Sequence, residues 1–159
     1  MELDKTYKDN FLSQMFNYEH VLMLDILRKY KPESLTEIAC GWGKNLRLVF
    51  DHVPSVKTVT AIDISPDTLD HCRSVLTGGR ARYIQADFES IPAQPLDSWV
   101  LAFNSLMYCE PGTLVRLLDA LSRKTRYLLI MREPSCSSGH YKIRSDISFF
   151  HNYELLLKK

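Results

Sequence analysis

The stretch "TEIACGWGKNL", residues 36 to 46, decides the fold, because two glycines follow directly on a short apolar segment. The preceding "SLTEIA" has the composition of a strand, and the following "KNLRLVFDHV" places Leu46 and Val49 at helical spacing. Gly41 and Gly43 have no Cβ, so the backbone there can turn sharply and approach a ligand closely. The stretch therefore predicts a strand, a glycine loop and a helix.

The same unit repeats along the chain. "VKTVTAID" predicts a second strand, and "SPDTLDHCRSVL" predicts a helix capped by Ser65 with Pro66 in its first turn. Further strands are predicted in "RARYIQAD", "DSWVLAFNSLMY" and "RYLLIMRE", with the helix "EPGTLVRLLDALSRK" before the last of them. Alternating strands and helices predict a doubly wound α/β fold: a parallel sheet in the order 3-2-1-4-5 with helices on both faces.

The two ends of the chain are predicted to be helical. Residues 8 to 30 have an apolar stripe at steps of three and four: Phe11, Met15, Tyr18, Leu22 and Ile26. At the other end, "PSCSSGHYKIRS" is typical of a loop, and "DISFFHNYELLLKK" predicts a last helix that reaches the chain end. We expect one domain over residues 1–159, with a helical cap at 1–32, a core at 33–134 and a C-terminal loop and helix at 135–159.

Composition bounds the class of protein. The chain has 159 residues, 45% of them hydrophobic, and 20 basic residues nearly balance 19 acidic ones, as in a single folded domain. Its four cysteines form no CxxC pair and no His cluster, which predicts reduced thiols and no metal site. Because no basic-then-apolar leader and no run of about 18 apolar residues occur, we expect a soluble, cytoplasmic protein without a membrane partner.

Two phosphate-binding loops are disfavoured by the same stretch. A dinucleotide fingerprint needs a third glycine at position 46, where this chain has Leu46. A P-loop needs Ser or Thr after its lysine, where Asn45 follows Lys44. Neither a pyrophosphate nor a nucleoside triphosphate is specified by this loop.

Residues 37 to 46, Glu-Ile-Ala-Cys-Gly-Trp-Gly-Lys-Asn-Leu, resemble the E-x-G-C-G-x-G-x-N-L signature of class I S-adenosylmethionine-dependent methyltransferases. Ala39 stands where that family most often has its first glycine, a change that narrows the site slightly. Three further segments agree with the family in order and spacing: Asp63 after the second strand, Ala86-Asp87-Phe88 after the third, and "AFNSLMY" at the end of the fourth. The resemblance covers roughly residues 34 to 134.

The resemblance implies a Rossmann-like methyltransferase core, with S-adenosyl-L-methionine as cofactor and S-adenosyl-L-homocysteine as product. It implies that Asp63 accepts hydrogen bonds from the ribose hydroxyls, that Asp87 accepts one from the adenine amino group, and that Phe88 packs on the ring. Asn104 and Ser105 would border the methionine moiety, and Glu37 would organise the loop through hydrogen bonds. The full set of expected cofactor-binding residues is Glu37, Ala39, Cys40, Gly41, Gly43, Asn45, Asp63, Ile64, Ala86, Asp87, Phe88, Asn104 and Ser105.

The acceptor is not specified by any motif in the chain. A base is needed only if the acceptor is a hydroxyl or a protonated amine, and the candidates near the strand ends are Tyr108, Glu133, His140 and His151, with Tyr108 and His140 placed first. A small-molecule acceptor is favoured over RNA or protein. Two other classes stay open: a non-catalytic S-adenosylmethionine-binding module or regulatory subunit, and an NAD(P)-binding oxidoreductase.

The edge of the predicted sheet has its own consequence. Domains of the resembling family usually end with two more strands, the last one antiparallel, and the pattern of this chain lacks both. The fifth strand would then present unpaired backbone groups, which proteins avoid leaving open. We expect residues 135 to 159, self-association or a partner chain to cover that edge.

Overall fold

The computed structural model describes residues 18–137, 139–145 and 148–157. Its main sheet has five strands, all parallel to their neighbours, in the order β3-β2-β1-β4-β5. This order confirms the predicted topology. In chain order the strands are β1 Ser34–Ile38, β2 Thr58–Asp63, β3 Ala81–Gln85, β4 Trp99–Phe103 and β5 Tyr127–Met131.

In the described part of the chain four helices flank the sheet: α1 Tyr18–Tyr30, α2 Lys44–His52, α3 Pro66–Val75 and α4 Pro111–Lys124. Helix α3 begins as predicted, since Ser65 Oγ accepts the N–H of Thr68 at 3.3 Å and Pro66 occupies the first turn. Apolar residues of α1, α2 and α3 form one core layer, and the four leucines on one side of α4 belong to the other. All residues of β4 are buried, as its continuous apolar run predicts.

Helix α1 buries a different face from the predicted one. Tyr18 is 78% exposed and Leu22 is 40% exposed, whereas the buried residues are His20, Met23, Leu24 and Leu27. The segment has apolar residues on more than one side, so spacing alone does not determine which side meets α2 and the sheet. Residues 8 to 17 of the predicted helix lie outside the described residues.

The C-terminal prediction of a loop followed by a helix is wrong over residues 141–145 and 148–151. The chain forms two antiparallel strands, β6 Tyr141–Ser145 and β7 Ser148–His151, followed by the short helix α5 Tyr153–Leu156. Two phenylalanines lie within β7, and aromatic residues favour strands over helices. Within the described residues these strands pair with each other and not with the main sheet, so the main sheet lacks two further strands, as predicted.

The hairpin packs at the carboxyl end of β4. His151 on β7 contacts the backbone of the turn that follows β4, and Tyr153 and Leu156 of α5 pack against the core layer of α4. In the described part of the chain, β5 pairs only with β4. No helix among the described residues is long and apolar enough to cross a membrane.

Candidate functional site

The glycine loop connects β1 to α2 at the carboxyl edge of the sheet. Three of its residues, Ala39, Gly41 and Gly43, have positive φ angles of 51°, 54° and 78°. The N–H of Cys40 donates to Ile62 O at 2.9 Å, so the loop bends over the end of the neighbouring strand β2. This placement is the one in which open parallel sheets bind their ligands.

Asp63, the last residue of β2, joins two loops through its carboxylate. Oδ2 accepts the N–H of Gly41 at 2.9 Å, and Oδ1 accepts the N–H of Ser65 at 3.0 Å. An ionised carboxylate has about four acceptor positions, so each oxygen can still accept a further hydrogen bond. The side chain can therefore fix the glycine loop and hold a ligand's hydroxyl groups at the same time.

A small pocket of about 70 Å³ lies beside Asp63, between the ends of β1, β2 and β3. Its lining includes five residues that the sequence predicted and one, Ile91, that it did not: Ala39, Ile64, Ala86, Asp87, Phe88 and Ile91. Ile91 lies in a 3-10 turn just after Phe88, and a single buried isoleucine carries no signal of a binding role. The pocket is mostly apolar, as a flat aromatic ligand requires.

Asp87 lies at the polar end of this pocket. Its Oδ1 accepts from the backbone N–H of Ser90 at 2.9 Å and from the Ser90 hydroxyl at 2.6 Å. These bonds to Ser90 lower the pKa of Asp87 below its ordinary value. The carboxylate keeps further acceptor positions for a hydrogen bond from a ligand.

Glu37 lies beneath the loop in a buried hydrogen-bond chain. Asn45 Nδ2 donates to Glu37 Oε1 at 2.7 Å, and His20 Nε2 donates to Asn45 Oδ1 at 3.1 Å. The His20 ring stacks on Phe103 with 4.8 Å between ring centroids. Burial raises the pKa of Glu37 to about 8, and Glu37 Oε2 has no hydrogen-bond partner within the described part of the chain. These hydrogen bonds link β1, α1 and α2, so Glu37 and Asn45 support the glycine loop.

His20 is the member of this hydrogen-bond network that sequence analysis missed. It lies on α1, 25 residues before Asn45, and histidine is intermediate between buried and exposed residue types, so its identity alone does not indicate a buried role. Only the packing of α1 against the end of β4 makes it a neighbour of the loop.

The two loop glycines have different surroundings. A Cβ on Gly43 would lie 2.6 Å from Cys72 Sγ of α3, whereas a Cβ on Gly41 would have no atom within 4 Å. Cys40 is buried in the same core layer as Cys72, and the hydrogen bond between the two thiols, together with burial, raises the pKa of Cys40. Gly43 and the Cys40 side chain therefore pack inward, and Gly41 leaves open space at the surface of the loop.

Asn104 and Ser105 follow β4 at the same edge of the sheet. Asn104 has a φ of 54°, and its N–H donates to Met131 O at 2.9 Å. A 3-10 turn, Leu106–Tyr108, follows, and it leaves the Tyr108 side chain 53% exposed. The structure thus brings Asn104, Ser105 and Tyr108 to the strand ends near the loop.

The structure does not bring His140 to this edge. His140 lines a separate cavity of about 410 Å³ between α4 and α5, together with Leu118 and Ser122 from the middle and end of α4. The prediction of a loop at this position assumed no strands after residue 135. The β6–β7 hairpin carries His140 to the side of α4 instead.

Comparisons with known proteins agree with this architecture. A family model described as a methyltransferase domain matches residues 36–127, more than half of the chain. A malonyl-(acyl-carrier protein) O-methyltransferase from Anoxybacillus flavithermus is 30% identical over 84 residues, which are 53% of this chain and 31% of that protein. The chain thus spans about a third of the length of that relative.

Solved structures match the fold over more of the chain. The sugar N-methyltransferase KedS8 from Streptoalloteichus sp. has a TM-score of 0.62 at 20% identity, covering 89% of this chain and 60% of that one. The plantazolicin methyltransferase BpumL, solved with a desmethyl-plantazolicin analogue and S-adenosylhomocysteine, has a TM-score of 0.56 at 18% identity, covering 76% and 48%.

The sheet order and the loop at the end of β1 define a class I methyltransferase fold. With a family model matching residues 36–127, the chain belongs to the methyltransferase domain family.

Proposed function

We propose that this chain binds S-adenosylmethionine and transfers its methyl group to a small-molecule acceptor. One observation carries the proposal: the glycine loop, the Asp63 carboxylate and the 70 Å³ pocket lie side by side at the ends of β1, β2 and β3. A nucleoside that carries an amino-acid tail requires binding groups in this spatial order. The donor supplies an electrophilic methyl group on a sulfonium; the chain binds and orients it.

Each part of the site has a stated task in this proposal. Asp63 accepts hydrogen bonds from the ribose hydroxyls while it continues to hold Gly41. Asp87 accepts from the adenine amino group, and Phe88 and Ile91 contact the ring. Asn104 and Ser105 border the methionine part at the end of β4. Methyl transfer needs alignment of donor and acceptor more than proton transfer, so placement supplies most of the catalysis.

The names of two matched proteins and the position of Tyr108 bear on the acceptor class. One relative is named for a malonyl group on a carrier protein and one structural neighbour for a sugar. Tyr108 is the group of this chain best placed to meet an acceptor, because it is exposed at the end of the turn after β4. Its role is to line the acceptor side of the site.

Titration calorimetry with S-adenosylhomocysteine, S-adenosylmethionine and NAD tests the donor. We expect both adenosyl compounds to bind and NAD not to bind; binding of NAD alone would identify an oxidoreductase. Transfer of a tritiated methyl group to carrier-protein thioesters, amino sugars, peptides and RNA then identifies the acceptor class. Donor binding without transfer to any acceptor would favour a regulatory module.

The variant Asp63→Ala tests the site itself. It should weaken S-adenosylhomocysteine binding at least tenfold, because charge-assisted hydrogen bonds contribute about 1.5–3 kcal/mol each. Asp67→Ala is the matched control, since Asp67 is exposed on α3 only four residues later. Equal affinities of the two variants in calorimetry would contradict the ribose assignment.

A further inference from the structure

The turn after β4, residues 105–108, is held by a side chain from beyond β5. Glu133 Oε1 accepts the backbone N–H groups of Ser105 at 2.5 Å and Leu106 at 2.9 Å, and its Oε2 accepts that of Met107 at 3.1 Å. The first N–H groups of a helical turn have no carbonyl partner within the turn. One carboxylate satisfies three of them here.

The carbonyl side of the same turn is held by the C-terminal hairpin. His151 is 1% exposed, and its Nε2–H donates to Leu106 O at 3.1 Å. Burial lowers the pKa of His151. Arg144 on β6 also contacts the turn, with Nη1 at 3.1 Å from Met107 Sδ. The shape of the turn therefore depends on Glu133, Arg144 and His151.

We propose that Glu133 is a positioning residue for methyl transfer, which fixes the 105–108 turn so that Asn104 and Tyr108 meet the donor and the acceptor. This proposal rests on the proposed function. Asn104, immediately before the turn, has a left-handed backbone conformation, and Tyr108, at the end of the turn, is exposed. A shift of the turn would move both residues relative to the reacting groups.

The contacts of Glu133 set it apart from a general base. Both of its oxygens accept backbone hydrogen bonds, and proton abstraction from an acceptor would require the carboxylate to leave the turn. Its neighbour in the sequence, Arg132, has a φ of 55°, which directs the chain so that the next side chain returns toward β4. Glu133 thus acts through the turn and not on the acceptor.

The test compares Glu133→Gln with Glu110→Gln. Glutamine keeps the shape of the side chain but points an N–H donor at another N–H donor. Glu110 is a matched control, because its carboxylate also accepts a backbone N–H, that of Thr113 at 3.2 Å, at the start of α4. We expect hydrogen exchange at one or more of Ser105, Leu106 and Met107 to rise at least tenfold in Glu133→Gln and at all three to stay unchanged in Glu110→Gln.

Function is measured on the same two variants. In Glu133→Gln, the dissociation constant for S-adenosylhomocysteine should change less than threefold, and kcat for the acceptor found in the methyl-transfer screen should fall at least tenfold. The pH profile of kcat/KM should keep both of its limbs, and only the maximum value of kcat/KM should fall. Disappearance of the acidic limb would make Glu133 the base and overturn the proposal, and so would unchanged exchange and kcat.

A second variant keeps the proposal testable if Glu133→Gln does not fold. Glu133→Asp keeps the charge on a side chain one methylene shorter, and it should show the same changes to a smaller degree; wild-type values would overturn the proposal. If the wild-type chain does not bind S-adenosylhomocysteine, the proposed function itself fails. Donor binding with a Glu133→Gln variant that matches wild type would overturn the positioning role alone.

Discussion

At the scale of single residues, Ala39 shows how a backbone angle constrains the loop. Its φ of 51° is in the left-handed region, where a side chain costs roughly 1–2 kcal/mol. Glycine avoids that cost but loses more chain entropy on folding. The family pattern has glycine at this position, and the structure gives the physical reason.

Ala39→Gly should therefore stabilise the fold, raising the free energy of unfolding by about 0.5–1 kcal/mol. Ala86→Gly is the control, because Ala86 lines the same pocket without a positive φ and should lose stability instead. Urea denaturation measures both. If Ala39→Gly also loses stability, the strain at this residue is smaller than its angle indicates.

Glu37 is the second residue with a measurable consequence. Burial raises its pKa from 4.5 to about 8, so between these values the folded chain binds a proton that the unfolded chain does not. Stability should fall as pH rises from about 5 to 8, with a slope contribution of up to about 1.4 kcal/mol per pH unit. Glu37→Gln should remove this contribution. Parallel slopes for the variant and wild type in urea denaturation across that range would show that Glu37 is ionised in the fold.

At the scale of elements, the contact between the glycine loop and α3 determines which glycine is irreplaceable for packing. Sequence reasoning expects a side chain at position 43 to occupy cofactor space, but the nearest obstacle is Cys72 Sγ at 2.6 Å. Loop and helix are thus packed against each other before any ligand binds.

Gly43→Ala should destabilise the fold by about 2–4 kcal/mol, from a φ of 78° together with overpacking against Cys72. Gly41→Ala should cost only the backbone part, about 1–2 kcal/mol, since nothing lies within 4 Å. In a Cys72→Ala background the cost of Gly43→Ala should fall toward that of Gly41→Ala. A double-mutant cycle measures the coupling, and strict additivity would rule out the steric explanation.

At the scale of the whole molecule, the main sheet ends at β5. Residues 135 to 159 were expected to cover the edge of the sheet. Helix α5 packs on one face of the sheet, against the core layer that Leu128 and Ile130 also contact. Within the described residues, however, no further strand pairs with the free edge of β5. An apolar strand of five residues with an open edge favours pairing with another chain.

We therefore expect self-association or a partner at β5. Light scattering over a concentration series should show a rising mass, with slow hydrogen exchange at those amides of residues 127–131 that point away from β4. The amides of β3, at the opposite edge, serve as an internal comparison. A strict monomer in which the outer β5 amides exchange quickly would contradict this expectation.

The local order of elements was predictable from the sequence because hydrophobic periodicity and turn residues act over a few positions. The glycine pair, the acid after β2 and the "ADF" segment after β3 could likewise be assigned by spacing along the chain. The C-terminal hairpin was not predictable in this way, because a short aromatic segment has no single period and becomes a strand by pairing with β6.

The sequence by itself determined the five alternating strands, the α/β class and five of the six residues that border the pocket at the ends of β1 to β3. Only the tertiary structure decided that His20 stands behind Asn45, that Cys72 fills the space beside Gly43, that His140 lies beside α4, and that Glu133 and His151 hold the turn after β4. The physical reason is the separation of the contacting residues along the chain. Periodicity and capping report on neighbours in the chain, whereas these contacts join residues 25 to 45 positions apart, or lie in packing that no local pattern records.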